Sequence, residues 1–223
     1  MISLLKFFRF LGPTLLFFGT FVVLPPLVLS HFNGVLDNQM LNIYLVCILY
    51  SVIIFFTLRQ RKFMYSPKDG FVITFLTWLI ISLLASMPFI NSNIAFFDAL
   101  FEAVSGLTTT GSTVIKDLSK LPDHVLLYRQ LLQWAGGVGL VIVVLAIIPA
   151  VSGGMKVLQA ETSGFADKSF SPRLRETARS LLKFYFLLTI ACVLSYWMVG
   201  MTWFEAFSHS FSTVSIGGFS IYN

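Results

Sequence analysis

Charged residues are scarce in this sequence, and long apolar runs take their place. Only 11% of the 223 residues are Asp, Glu, Lys or Arg, whereas 57% are hydrophobic, and the mean hydropathy is +0.85. Soluble domains carry roughly a quarter charged residues, so this composition excludes an ordinary soluble fold. Because long apolar runs favour helices that satisfy their own backbone hydrogen bonds in lipid, the sequence predicts an all-α integral membrane protein.

Cysteine and histidine are also scarce, which limits the chemistry of any site. Cys47 and Cys192 both lie in the middle of apolar runs, where they are small buried hydrophobic residues and not halves of a structural disulfide. His31, His124 and His209 are far apart and are assigned to separate outer loops, and no HExxH or GxSxG pattern occurs. The sequence therefore predicts neither an enzyme nor a bound cofactor.

Apolar runs long enough to cross a bilayer occur along most of the chain. A hydrocarbon core of about 30 Å requires about 20 mostly apolar residues per helix. No small-residue cleavage pattern follows the first run, which we interpret as a retained helix whose end is marked by Leu24-Pro25-Pro26. The predicted spans are 7–29, 40–58, 71–90, 125–151 and 179–200.

The basic residues indicate the orientation of these spans. With a cytoplasmic amino terminus, 12 of the 15 Lys and Arg residues lie on the cytoplasmic side, and only Lys116, Lys120 and Arg129 lie outside. This is the positive-inside distribution of membrane proteins. The net charge of +5 therefore reports topology next to lipid, and it does not indicate a nucleic-acid site.

An internal repeat is visible in two segments too short to span the membrane. The helical pattern before Thr108 covers about 14 residues, or roughly 21 Å at 1.5 Å per residue. Residues 97–113 align without a gap to residues 204–220, so that Gly111 matches Gly218 at a separation of 107 residues. We expect a transmembrane hairpin over 1–62, a helix, loop and helix repeat over 63–155, a cytoplasmic connector over 156–178, and a second repeat, truncated after its loop, over 179–223.

The loops TTTG (108–111) and SIGG (215–218) suit a pathway for a dehydrated cation. Non-helical backbone at membrane depth persists only inside protein or beside water, and rings of carbonyl and Thr oxygens can replace the hydration shell of an ion. The carboxyl end of each preceding short helix adds a partial negative charge. The alternative is that both loops are ordinary turns, which are also rich in Thr, Ser and Gly. Their agreement in register favours the ion pathway.

Three further features each allow two interpretations. Asp98 and Glu205 either cap the short helices, which we prefer, or attract ions. Arg129 is interpreted as an interfacial residue whose charge reaches water, with tuning of a pore mouth as the alternative. The small residues from Ala135 to Gly139 favour close helix packing over a gating hinge.

The motifs TTTGSTV (108–114), YRQLLQWAGGVG (128–139) and HSFSTVSIGGFS (209–220) carry a family resemblance. From end to end, the chain resembles the TrkH-type subunits of bacterial Trk potassium uptake systems, which share a superfamily with Ktr and plant HKT transporters. The resemblance implies four helix, re-entrant pore loop and helix repeats of potassium-channel type around one pore. The implied potassium-coordinating residues of the selectivity filter are Thr109, Thr110, Gly111, Ile216, Gly217 and Gly218.

The same resemblance implies a function and partners. The expected activity is potassium uptake across the bacterial inner membrane, with a sodium or nonselective cation pathway, or a non-conducting scaffold, as alternatives. A homodimer and a cytoplasmic nucleotide-binding regulator of the TrkA type are implied in the same way. Since four repeats of this size need roughly twice this length, we interpret the chain as an amino-terminal fragment that holds two of the four loops.

Overall fold

A computed structural model describes residues 4–58, 60, 67–152 and 170–223. All regular structure in these residues is helical, as the composition predicts, with a π-helical turn at Gly19–Val23 and a 3-10 turn at Leu118–Lys120. The α-helices are α1 Leu4–Phe18, α2 Leu24–Phe32, α3 Asn38–Leu58, α4 Pro67–Asn91, α5 Phe96–Leu107, α6 Asp123–Ser152, α7 Phe170–Met198 and α8 Trp203–Val214.

Four helical stretches in the described residues are long and apolar enough to cross a membrane, and they coincide with four of the five predicted spans. The remaining prediction, 125–151, falls on α6, whose side chains are described only as far as residue 139. Most of the predicted connector, residues 156–169 of 156–178, lies outside the described residues. The four stretches are Leu4–Phe32, Asn38–Leu58, Asp69–Asn91 and Glu176–Met198.

The first span passes through the Pro25-Pro26 pair, so the prediction that its helix ends there is wrong. The backbone N–H of Leu24 donates to the carbonyl of Gly19, a π-type bond that spans five residues. Both prolines then occupy the first turn of α2, where a missing N–H costs no intrahelical bond. The widened turn therefore lets the helix continue as far as Phe32.

Helix α6 is at the centre of the packing, and it brings the two short helices together. It packs against α2, α4, α5, α7 and α8, while α1 packs against α3 in the amino-terminal hairpin. A Cβ at Gly136 would overlap the backbone carbonyl of Leu107, and one at Gly137 would lie 3.2 Å from the Cβ of Ser215. These small residues thus bring α6 against the carboxyl ends of both short helices, which supports the packing interpretation.

The two short helices repeat the same local structure. Both contain 12 residues, and each begins 107 residues from the other, at Phe96 and Trp203. The turn before each helix also repeats, because Asn93 and Gly200, again 107 residues apart, both have positive φ, at 62° and 106°. The backbone thus follows the register of the sequence alignment from the turn before each helix onward.

Candidate functional site

The loops that follow α5 and α8 have the same backbone conformation. Thr109 and Ile216 both have φ of 56°, and Gly111 and Gly218 have φ of 77° and 80°. Positive φ is uncommon for any residue with a Cβ, and it is a marked exception for a β-branched side chain such as Ile216. Two matching exceptions in register indicate that both loops serve the same structural purpose.

Matching hydrogen bonds close each loop onto its own helix. In both loops, three successive backbone N–H groups donate to carbonyls in the last turns of the preceding helix. The bonds are Thr108–Val104 at 2.9 Å, Thr109–Gly106 at 3.0 Å and Thr110–Ser105 at 2.9 Å in the first loop, and Ser215–Phe211 at 3.3 Å, Ile216–Thr213 at 3.0 Å and Gly217–Ser212 at 2.9 Å in the second.

The two loops lie against each other. A Cβ added at Gly111 would overlap the carbonyl oxygen of Gly217 and would lie only 3.0 Å from its carbonyl carbon. At Gly218, the described residues place nothing within 4 Å of the equivalent position. The two glycines therefore share a dihedral angle but differ in their surroundings, which the sequence alignment did not predict.

Arg129 is fully buried, so its interpretation as an interfacial residue is wrong. Its side chain forms an ion pair with Glu102, in which Nε and Nη2 lie 2.8 and 2.6 Å from Oε1. Both side chains are at most 1% exposed. A buried arginine of this kind requires a carboxylate partner, because an unpaired charge is very costly in a low-dielectric interior.

This ion pair connects the two loops. The Glu102 carboxylate accepts hydrogen bonds from the Thr113 hydroxyl at 3.0 Å and from the Val114 N–H at 3.3 Å, both just after the first loop. On the other side, Nη1 of Arg129 donates to the Ser220 carbonyl at 3.0 Å, and its guanidinium lies 4.2 Å from the Phe219 ring centre. The pair therefore joins the residues that follow each loop.

Gln133, one helical turn after Arg129, contacts the second loop directly. Its Nε2 donates to the Gly217 carbonyl at 2.8 Å, and its Oε1 accepts from the Phe219 N–H at 3.1 Å. The side chain is completely buried. A planar amide that makes both bonds holds the peptides on either side of Gly218 in one orientation.

The six residues predicted to coordinate potassium lie in these two adjacent loops. Thr110 and Ile216 are exposed, the latter at 89%, and the Thr110 hydroxyl is 2.8 Å from that of Thr108. Thr109 and Gly111 are partly buried, and Gly217 is buried against Gln133. The fold thus brings together two sets of residues that are about 107 positions apart in the sequence.

The two acidic residues at the starts of the short helices differ in their contacts. Glu205 forms a capping box with Thr202, in which each side chain bonds the backbone N–H of the other residue, as the capping interpretation predicts. Asp98 lies in the first turn of α5 after Ala95, a cap residue whose side chain has no hydrogen-bonding group. Asp98 therefore complements the dipole of α5 from its first turn, without the reciprocal cap that Thr202 and Glu205 form.

The histidines lie on helices, so their assignment to outer loops is wrong. His31 belongs to α2, His124 to the first turn of α6 and His209 to α8. His124 Nε2 lies 3.5 Å from the Asp37 carboxylate. Among the described residues, no group of three or more His, Cys, Asp or Glu side chains could hold a metal ion.

Glu102 and Gln133 are the two residues around the loops that the sequence reasoning missed. In FFDALFEAVSGL, Glu102 shares a helix face with Ala99 and Gly106, and all three are buried. A carboxylate on the small-residue face of an apolar helix signals a buried partner. Gln133 gave no comparable signal, since an amide at the centre of an apolar helix fits several kinds of contact.

Comparison with known proteins gives a consistent result. A family model described as TrkH, cation transport protein, matches residues 36–223. The Trk system potassium uptake protein TrkH of Vibrio parahaemolyticus is 40% identical over 220 residues, which cover 96% of this chain and 45% of that protein. TrkG of Escherichia coli K12, also a Trk system potassium uptake protein, is 38% identical over 209 residues, or 90% and 43% of the two chains.

The same relationship is found in three dimensions. The crystal structure of the potassium transporter TrkH from Vibrio parahaemolyticus superimposes with a TM-score of 0.79 and 36% sequence identity. The match covers 99% of this chain and 45% of that one. The chain therefore spans slightly less than half the length of the relatives that it matches.

Proposed function

Because this chain belongs to the TrkH family of cation transport proteins, we propose that it forms part of a potassium uptake pathway of a Trk system. The family confirms the resemblance, and since it is a family of transport proteins, the prediction that the chain is not an enzyme is confirmed as well. The description of the family includes no cofactor. The relatives bear the names of potassium uptake proteins, and we extend that substrate to this chain as part of the proposal.

One observation carries the proposal: two loops with matching positive φ angles meet at the carboxyl ends of two short helices. Carbonyl oxygens near helix carboxyl ends favour a cation, because both dipoles are negative there. We assign potassium coordination to the backbone of these loops and to Thr hydroxyls. The proposed coordinating residues are Thr109, Thr110, Gly111, Ile216, Gly217 and Gly218.

The proposed pore is larger than this chain. Two loops form about half of the fourfold ring typical of carbonyl filters, and the chain covers less than half of its relatives' length. We propose that further loops beyond these residues complete the ring. The proposed units are the hairpin 1–62, the repeat 63–155, the connector 156–178 and the partial repeat 179–223. A homodimer and a TrkA-type regulator remain proposals that rest on the family resemblance.

The proposed location is the bacterial inner membrane, with the amino terminus in the cytoplasm. The support is the distribution of basic residues, 12 of 15 of which would lie on the cytoplasmic side of the predicted spans. Cysteine labelling tests it: sites at Lys62 and Gly164 should be protected from an impermeant reagent in intact cells, whereas sites at Asn33 and Lys120 should react. Reaction at Gly164 would exclude the orientation.

Potassium uptake is tested with Thr110→Leu, which adds apolar bulk to the first loop. The chain is joined to the carboxyl-terminal half of the Vibrio parahaemolyticus relative and expressed in cells that lack their own potassium uptake. We expect Thr110→Leu to reduce uptake at an unchanged protein level. The matched control is Thr57→Leu on the exposed face of α3, which should leave uptake unaltered.

Each remaining outcome selects an alternative. Uptake of sodium and potassium at equal rates by the parent would indicate a nonselective pathway. No uptake of either ion by a correctly inserted parent would indicate a scaffold. Full uptake by the Thr110→Leu variant would assign TTTG to a plain turn.

A further inference from the structure

Gln133 explains one of the sequence differences between two loops whose backbone conformations match. The position of Gly217 corresponds to Thr110 in the first loop, 107 residues earlier. A Cβ at Gly217 would overlap the carboxamide of Gln133, whose Cδ, Oε1 and Nε2 would be its three nearest heavy atoms. At Thr110 the side chain is exposed. The second loop therefore has glycine at this position because the amide of Gln133 occupies the space of a side chain.

The two loops are also supported from different directions. The first loop is bonded to its own helix, since the Ser105 hydroxyl donates to the Ser112 carbonyl at 2.6 Å and Glu102 binds Thr113 and Val114. The second loop, besides the backbone bonds to its own helix, is bonded through Gln133 to α6, which belongs to the preceding repeat. A change at Gln133 thus acts on the second loop and spares the hydrogen bonds of the first.

We propose that Gln133 is a positioning residue that sets the preference of the second loop for potassium over sodium. Its amide holds the Gly217 carbonyl and the Phe219 N–H, which flank Gly218 with its φ of 80°. Without these two bonds the peptides around Gly218 can rotate, and the loop can contract around an ion smaller than potassium. A held loop discriminates by size and by the number of its oxygens, whereas a free loop adapts to either ion.

This role rests on the proposed potassium pathway, and Gln133→Met tests it. Methionine has nearly the same length and volume but makes neither hydrogen bond. We measure how strongly sodium competes with potassium uptake by the fusion of this chain to the carboxyl-terminal half of the Vibrio parahaemolyticus relative. We expect the preference for potassium to fall at least tenfold, or about 1.4 kcal/mol, with a smaller change in the maximal rate at saturating potassium.

Gln130 provides a matched control on the same helix. It is also completely buried, but neither polar atom of its side chain has a hydrogen-bond partner among the described residues. Gln130→Met should keep the parent's ion preference. The proposal is overturned if Gln133→Met keeps that preference, or if Gln130→Met lowers it equally.

A second measurement tests the contact without transport. Gly217→Ala should lower the unfolding midpoint in detergent in the parent, because the new Cβ meets the Gln133 amide. In a Gln133→Ala background the same change should lower it much less, since the obstructing group is gone. Equal effects in both backgrounds would refute the contact. If the parent takes up no potassium, the proposed function fails together with the selectivity role. The difference between the effects of Gly217→Ala in the two backgrounds would still show whether Gln133 contacts Gly217.

Discussion

The buried ion pair between Arg129 and Glu102 permits a quantitative prediction. Replacing Arg129 with methionine removes both hydrogen bonds to Oε1 of Glu102, at 2.8 and 2.6 Å, and the bond to the Ser220 carbonyl. The Glu102 carboxylate would remain completely buried, and its remaining donors among the described residues would be the Thr113 hydroxyl and the Val114 N–H. It would then be a buried charge without a countercharge.

The magnitude follows from the cost of separating such a pair. Removing one partner of a buried ion pair typically costs about 3–5 kcal/mol, whereas replacing both with apolar residues of similar size is often neutral or stabilising. We therefore expect Arg129→Met to lower the free energy of unfolding by about 4 kcal/mol. The double variant with Glu102→Met should lose less than this single variant.

The measurement is a denaturant titration of the purified chain in detergent, fitted for the parent, both single variants and the double variant. Lys120→Met is the control, because its ion pair with Asp117 at 3.0 Å leaves the Lys120 side chain 80% exposed, and exposed pairs of this kind contribute little to stability. The reasoning fails if Arg129→Met costs no more than Lys120→Met, or if the double variant loses the sum of the two single effects.

Three other changes have expected outcomes. Gly111→Ala should destabilise the chain more than Gly218→Ala: both carry the strain of positive φ, about 1–2 kcal/mol, but only the first overlaps the carbonyl of the neighbouring loop, and equal losses in a denaturant titration would contradict this. Thr202→Ala removes half of the capping box and should cost about 1 kcal/mol in the same titration; an unchanged midpoint would exclude a stabilising cap. Asp117, in the segment after the first loop, has its pKa lowered chiefly by the hydrogen bond from Ser119. Since the folded-state pKa is the lower one, its contribution to stability is present above the unfolded pKa and is lost as the pH falls through the folded value. The thermal midpoint of the parent should therefore fall more on acidification below about pH 4 than that of Asp117→Asn, and parallel curves would refute the assignment.

Sequence reasoning was most accurate where the signal is local along the chain. The bounds of the apolar runs agree with the helices to within a few residues, because hydropathy depends on the residues of each run alone. It was wrong at Pro25-Pro26, where the turn rule for proline is correct in general. The π-type bond from the Leu24 N–H to the Gly19 carbonyl places both prolines in the first turn of α2, where their missing N–H groups cost no intrahelical bond. A turn of this kind leaves no clear mark in the sequence.

The environment of Arg129 could not be predicted from its position in an apolar span. An arginine near the end of an apolar helix usually reaches the interface, and the sequence contains nothing next to it that contradicts this. Its partner Glu102 is 27 residues away on another helix. The pairing depends on α5 and α6 packing together, which neither helix specifies alone.

The sequence by itself determined the membrane class, the helices and the register of the repeat, because composition, hydrophobic run length and turn chemistry are properties of consecutive residues. Only the tertiary structure decided which groups hold the two loops. The close approach of Gly111 to the Gly217 carbonyl, which leaves no room for a Cβ, and the bonds from Gln133 to the second loop join residues more than 80 positions apart. Such contacts follow from how closely α6 packs against the ends of both short helices, and that distance is set by side-chain size across several helices at once.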